Sequence, residues 1–206
     1  MADIPAGNPA KPQGEDGRAL LTRMNGGHHE ELAVWGLSHM KFSGGEHMLD
    51  IGCGGGANVS RLLERSKDGK AYGIDYSPLS VELSRETCTR QIEDGRAFIE
   101  QADVCDLPFE DNMFDIVTAF ETVYFWPDMD GALKEVLRVM KPGAVFLICN
   151  EANGSTLEMR EQANAIDGMT MYTADNLKRL LLKCEFSIES THDTGEKGWI
   201  SVLARK

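Results

Sequence analysis

The feature that most constrains this chain is an alternation that begins at His47. Short, unbroken apolar runs alternate with stretches of helical periodicity. The runs are 47–52 (HMLDIG), 70–76 (KAYGIDY), 97–103, 114–121 (FDIVTAFE) and 144–151 (AVFLICNE). Between them, 58–66 carries Val59, Leu62 and Leu63 on one side, and Ser77-Pro78 opens a helix expected to reach about Ile92. A third helix, 130–140, has Leu133, Val136, Leu137 and Met140 as its apolar stripe and is expected to stop at Lys141-Pro142-Gly143. Strands without polar alternation are buried on both faces, which points to a doubly wound α/β fold with a parallel sheet. The end of the chain differs. Leu177, Leu180, Leu181 and Cys184 mark another helix, and the runs 186–194 and 199–204 are separated only by Gly195-Glu196-Lys197-Gly198. So short a link forces an antiparallel hairpin. The expected architecture is therefore a mostly parallel seven-stranded sheet with an antiparallel C-terminal strand.

The N-terminal region divides in two. Residues 1–16 hold Pro5, Pro9 and Pro12 and a single branched aliphatic residue, Ile4, and read as a flexible tail. Residues 17–45 read as two helices joined at Gly26-Gly27, leaving 46–206 as the sheet domain. Met1–Asp16 lacks the basic start and apolar core of a signal peptide, and no apolar run is long enough to span a bilayer. Five dispersed cysteines with no CxxC pair read as reduced thiols in a cytoplasmic protein, with no structural zinc. With 21 Lys and Arg against 33 Asp and Glu, the net charge of −12 argues against a nucleic-acid surface or an anionic membrane as partner.

Four groups of residues carry the chemistry. Gly52-Cys53-Gly54-Gly55-Gly56 follows the first strand and opens a helix, a turn whose bare backbone a ligand can approach. Asp50 lies within that strand, a position better suited to an ammonium group than to a pyrophosphate. Asp75 ends the second strand 23 residues beyond Gly52, where a carboxylate accepts both hydroxyls of a ribose. Asp103 follows the third strand, placed to accept from an adenine amino group while Val104 packs on the ring. Beyond the fourth strand, the run 119–128 places Glu121 and Tyr124 where ligands bind in such sheets; Phe125 and Trp126 read as packing.

Together, Asp50/Gly52/Gly54/Gly56, Asp75, Asp103, Phe114–Val117 and the stretch Leu133–Gly143 resemble the class I S-adenosylmethionine-dependent methyltransferases, of the small type 11 or ubiquinone-biosynthesis-like branch. The resemblance covers about 46–148 and extends to the terminal hairpin. It implies that Gly52, Cys53 and Gly54 meet the methionine part of the cofactor, with Asp50 and the Phe120 carbonyl toward its amino group. It also implies Asp75 and Tyr76 at the ribose, Asp103 and Val104 at the adenine, and the N-terminal helices as a lid carrying His28 and His29.

The resemblance further implies methyl transfer to a small-molecule acceptor by in-line displacement, with S-adenosylhomocysteine as product. Glu121, Tyr124 and His29 are the candidate catalytic residues. After its fourth strand the chain departs from the branch's usual His or Arg-Asn element, so the acceptor does not transfer. No metal site is expected, because adjacent histidines on a helix point in different directions. Two rivals share the glycine turn: a nicotinamide-dependent oxidoreductase, disfavoured by Asp50, Asp103 and the terminal hairpin and by the lack of a Tyr-x-x-x-Lys pair, and a non-catalytic module that binds the same cofactor.

Overall fold

The computed structural model describes residues 9–206 apart from Asp167. Of the expected tail, residues 1–8 lie outside the described residues, and helix α1 (Gly14–Met24) begins two residues before the tail's expected end. Helix α2 (His28–Leu37) follows across Gly26-Gly27, with Gly27 at φ 58°. Then come β1 (His47–Ile51), α3 (Ala57–Arg65), β2 (Lys70–Asp75), α4 (Pro78–Thr87), α5 (Thr89–Glu93), β3 (Ala97–Gln101) and β4 (Phe114–Phe120). The chain continues through α6 (Met129–Val139), β5 (Met140–Asn150), α7 (Leu157–Asn164), α8 (Ala174–Lys183), β6 (Ser187–Asp193) and β7 (Ile200–Arg205).

The strands form one sheet in the order β3-β2-β1-β4-β5-β7-β6. β1 to β5 are parallel, and β7 runs antiparallel between β5 and β6. The chain order reverses direction between β1 and β4, which opens a crevice at their C-terminal ends. Side chains alternate across the sheet: Leu49 and Val117 join one core with α6 and α8, while Met48 and Ile116 join the other with α2 and α3. A Cβ at Gly73 on β2 would lie 2.8 Å from Val59, so its bare backbone lets α3 pack close to the sheet.

Local chemistry sets the helix starts. Ser77 caps α4, accepting from Ser80 N–H at 3.4 Å, and Asp128 caps α6, accepting from Gly131 N–H at 3.1 Å. Thr173 and Asn176 form a capping box on α8.

Three details depart from the sequence reading. The helix expected to run to Ile92 breaks at Cys88, where the Thr89 hydroxyl bonds the carbonyls of Arg85 and Glu86 and competes with the helical ladder. Lys141-Pro142-Gly143 does not separate α6 from β5 but lies inside β5. A register shift between Phe114 and Ile116, with Gly143 at φ 82°, absorbs the extra residues there, and Pro142 is exposed. Helix α7 has no signal in the sequence, since 157–164 carries no clear apolar stripe.

The N-terminal helices dock on the sheet domain beside the crevice. Arg18 of α1 pairs with Glu82 and Glu86 of α4 at 2.7 and 2.8 Å. Gly36 of α2 lies against Cys149 and Phe120, and a Cβ there would come within 2.7 Å of the Cys149 sulfur. Among the described residues no helix is long and apolar enough to cross a membrane.

Candidate active site

Two of the cavities at the C-terminal ends of the strands share a wall. The first, about 260 Å³, is lined by Gly52, Asp75, Tyr76, Ala102, Asp103 and Val104, with Trp126 and Pro127 opposite. The second, about 330 Å³, lies under α1 and α2 and is lined by Met24, His29, Glu121, Tyr124, Glu151 and Met169 among others. Gly52, Asp75, Tyr76, Thr122 and Phe125 form a wall common to both.

The glycine turn is shaped by its neighbours. Gly52, Gly54 and Gly56 sit at φ 71°, 52° and 85°, a region other residues enter only at a cost. A Cβ on Gly52 would overlap the Thr122 hydroxyl, whereas one on Gly54 would meet only Leu21, at 3.7 Å. The turn therefore presents bare backbone toward the cavities. Its first three N–H groups are already used. Gly52 and Cys53 donate to the Ile74 carbonyl at 2.8 and 2.9 Å, and Gly54 donates to Asp75 Oδ2 at 3.0 Å. A pyrophosphate would find these three donors taken, so the turn suits a ligand that brings its own donors.

Asp75 is held rigidly. Besides Gly54 it accepts from Ser77 N–H at 2.9 Å, and burial raises its carboxyl above the usual range. Tyr76 is half-exposed, and its hydroxyl donates to the Ala10 carbonyl, which ties residues preceding α1 to the mouth of the cleft. Asp103 Oδ1 accepts from Cys105 N–H at 2.9 Å, so the carboxylate lines the first cavity while bracing its own turn. Val104 is buried beside it.

Asp50 lies beneath the cleft, not in its wall. It is almost wholly buried, accepts from Thr118 Oγ1 at 2.7 Å, and burial pushes its carboxyl up to about 7. Cys53 is also buried. Its thiol contacts Ser84 Oγ at 3.3 Å, and burial together with Asp75 and Asp50 raises it well above the usual thiol value, which disfavours a nucleophilic role.

The three candidate catalytic residues meet in the second cavity. Glu121 follows β4 at φ 57°, an unusual conformation for a residue with a side chain. Its Oε1 accepts from the Tyr124 hydroxyl at 3.2 Å and from the N–H of Glu151. Tyr124, buried at 2% exposure, in turn accepts from Ala152 N–H at 3.3 Å. Burial and the facing Glu151 hold the Glu121 carboxyl well above the carboxylate range, and burial beside Glu121 raises Tyr124. His29 Nε2 stands 4.0 Å from Glu151 Oε1. Burial lowers its imidazole, Glu151 opposes that, and His28, Arg23 and Arg61 reinforce it. Phe120 lines the same cavity at the tip of β4.

Sequence reasoning missed Glu151, Thr122, Asn25 and Arg61. Glu151 follows β5 directly, so the strand-tip rule that singles out Glu121 applies to it equally. Asn25 Nδ2 donates to the Gly55 carbonyl at 2.9 Å while Arg61 donates to the Asn25 carbonyl at 2.8 Å, which clasps the α1–α2 link to the glycine turn. Phe125 and Trp126, read as packing, line the first cavity, and Trp126 is also packed in the core, stacked on Phe146.

Residues 49–148 match the family model described as a methyltransferase domain. A demethylmenaquinone methyltransferase of Lactiplantibacillus plantarum is 32% identical over 128 residues, 62% of this chain and 54% of that protein. A 2-phytyl-1,4-naphtoquinone methyltransferase of Trichormus variabilis is 31% identical over 149 residues, 70% of this chain and 65% of that one. The chain thus spans between half and two thirds of the length of these curated relatives. A solved methyltransferase structure from Aquifex aeolicus shares the fold, with a TM-score of 0.75 at 19% identity over 91% of this chain and 97% of that one. Residues 49–148 thus form a class I S-adenosylmethionine-dependent methyltransferase domain of the type 11 branch.

Proposed function

We propose that this chain transfers the methyl group of S-adenosylmethionine to a small-molecule acceptor. The observation that carries the reading is the common wall of the two cavities: Gly52, Asp75, Tyr76, Thr122 and Phe125 face a compartment bearing Asp103 on one side and one bearing Glu121, Tyr124 and His29 on the other. Such a wall can hold a nucleoside on one side and an acceptor on the other, with the reacting atoms meeting at Gly52.

The residues fit the cofactor. Asp75 would accept the ribose hydroxyls, with Tyr76 against the sugar. Asp103 and Val104 would hold the adenine, and Gly52, Cys53 and Gly54 would meet the methionine part. Asp50 would act from beneath the turn, and Phe120 would offer its carbonyl to the amino group. When bound, the cofactor supplies an already activated methyl group, so the protein's share of the work is alignment and exclusion of water. Met24 and Met169 supply apolar cover for the acceptor cavity. For an acceptor that arrives protonated, Glu121 and His29 are the side chains at hand to take its proton, and the Tyr124 hydroxyl, which donates to Glu121, can relay it. A net charge of −12 and a cavity of about 330 Å³ favour a small molecule over a nucleic acid.

The test is product formation. The protein is incubated with S-adenosylmethionine and a panel of small phenols, quinols, amines and thiols, and S-adenosylhomocysteine is quantified. Turnover that depends on one acceptor class is expected. Binding of S-adenosylhomocysteine without turnover across the panel would favour a cofactor-binding module that does no chemistry.

A further inference from the structure

We propose that His29, Glu121 and Glu151 form a binding site for a divalent first-row transition ion at the floor of the acceptor cavity. The inference concerns the same cavity as the proposed methyl transfer but does not depend on that reaction.

One imidazole nitrogen and one oxygen from each carboxylate lie within 4.8 Å of one another. They come from three separate elements: His29 from the first turn of α2, Glu121 from the tip of β4 and Glu151 from the tip of β5. Since β4 and β5 are neighbouring parallel strands paired through Phe120 and Cys149, the sheet itself fixes the two carboxylates side by side. The lid then brings the imidazole over them. A small adjustment of side chains would bring three donors to within bonding distance of one ion, leaving its remaining positions open to the cavity.

Charge makes the same point. Two carboxylates face each other in a half-buried compartment, and among the described residues no lysine or arginine forms an ion pair with either. The cationic candidates at Glu151 are His28 at 3.0 Å and His29 at 4.0 Å. Trp199 Nε1 also approaches His28 Nε2, at 3.4 Å, so Trp199 and Glu151 compete for that one nitrogen. A divalent ion would neutralise the pair.

The surroundings support ligand positions. The Tyr124 hydroxyl and the Glu151 N–H both donate to Glu121, and Tyr124 is itself fixed by Ala152 N–H. Outer partners of this kind orient ligating carboxylates. The left-handed backbone at Glu121 is a further cost borne to hold its side chain in this place. A set of one nitrogen and two oxygens suits manganese, iron(II) or zinc better than a soft ion or an all-oxygen calcium site. The open positions would take an oxygen- or nitrogen-bearing acceptor, which would make chelating acceptors the preferred class.

The test uses the full chain stripped of metal with a chelator and then titrated with Mn²⁺, read by loss of the free-ion electron paramagnetic resonance signal, and with Zn²⁺ by calorimetry. One saturable site per chain is expected. His29→Ala and Glu151→Gln should each abolish it, and Tyr124→Phe should weaken it about 10-fold. Binding of S-adenosylhomocysteine is measured on every variant to show that it is folded, and it should persist. Wild-type protein that binds S-adenosylhomocysteine but neither ion would overturn the metal site and leave the proposed function standing. Stoichiometric ion binding that survives both substitutions would place the ion elsewhere and equally overturn the assignment. Failure to bind S-adenosylhomocysteine, with ion binding intact, would count against the methyl-transfer reading alone.

Discussion

The two sides of the cleft treat their carboxylates in opposite ways. On the β1–β3 side, Asp75 accepts from the backbone N–H groups of Ser77 and of Gly54 in the glycine turn, and Asp103 from that of Cys105. On the β4–β5 side, Glu121 and Glu151 face each other, with a tyrosine, a histidine and strained backbone around them. In the first arrangement the carboxylates are held by backbone donors. The second stores repulsion that a proton, a cation or a reacting acceptor would relieve. Under the proposed assignments, the cofactor pocket is held by backbone donors, while the acceptor pocket is assembled from side chains of distant segments and carries strain.

Asp50 breaks the pattern on the quiet side, because the bond it accepts there comes from the Thr118 side chain. Its folded value of about 7 lies above the roughly 3.9 of an unfolded aspartate. Between those values the folded chain holds the extra proton, so stability falls as pH rises from about 4 through 7, and the full penalty applies above that. Asp50→Asn should therefore be more stable than wild type by up to roughly 4 kcal/mol at pH 8. Urea unfolding at several pH values should show this gap closing steadily toward pH 4. A gap independent of pH would mean that Asp50 is not the group responsible.

A smaller effect sharpens the cofactor side. Asp75→Ala removes a charged acceptor for two hydroxyls, each such bond contributing about 1.5–3 kcal/mol. The affinity for S-adenosylhomocysteine, measured by calorimetry, should fall at least about 100-fold. Unchanged affinity would remove Asp75 from the ribose site.

The smallest effect belongs to the strained side. Glu121→Gly relieves both the left-handed backbone and the repulsion from Glu151, and should raise stability by about 1 kcal/mol, or about 2–4 °C in a domain of this size. Its affinity for S-adenosylhomocysteine should stay within about 3-fold of wild type, since a change of 1.4 kcal/mol would already be tenfold. A lower melting temperature would show that Glu121 holds the fold together instead of straining it.

The same contrast explains what the sequence reveals. Unbroken apolar runs such as 114–120 and 144–150 are buried on both faces, so strand positions and parallel pairing follow from composition alone. The short link 195–198 dictates the antiparallel end. Asp75 and Asp103 are legible because one ends a strand and the other closely follows one, and each accepts from the N–H two residues on. Glu151 is not, because its meaning comes from lying beside Glu121, thirty positions earlier in the chain, and under His29 of a helix docked from the other end. The break at Cys88 and the continuation of β5 through Pro142 escape for a related reason. Side chain to backbone bonds and a register shift override local helix and turn preferences there.

The most direct test of the central claim is thermal unfolding with S-adenosylmethionine, S-adenosylhomocysteine, NAD and NADP in parallel. A ligand at 100 times its dissociation constant stabilises by about 2.7 kcal/mol, which here is roughly 5–10 °C. The account predicts that shift with the two adenosyl-sulfur compounds and none with the nicotinamide dinucleotides, because Gly52, Cys53 and Gly54 have no N–H left for a pyrophosphate. A shift with NAD or NADP alone would contradict it.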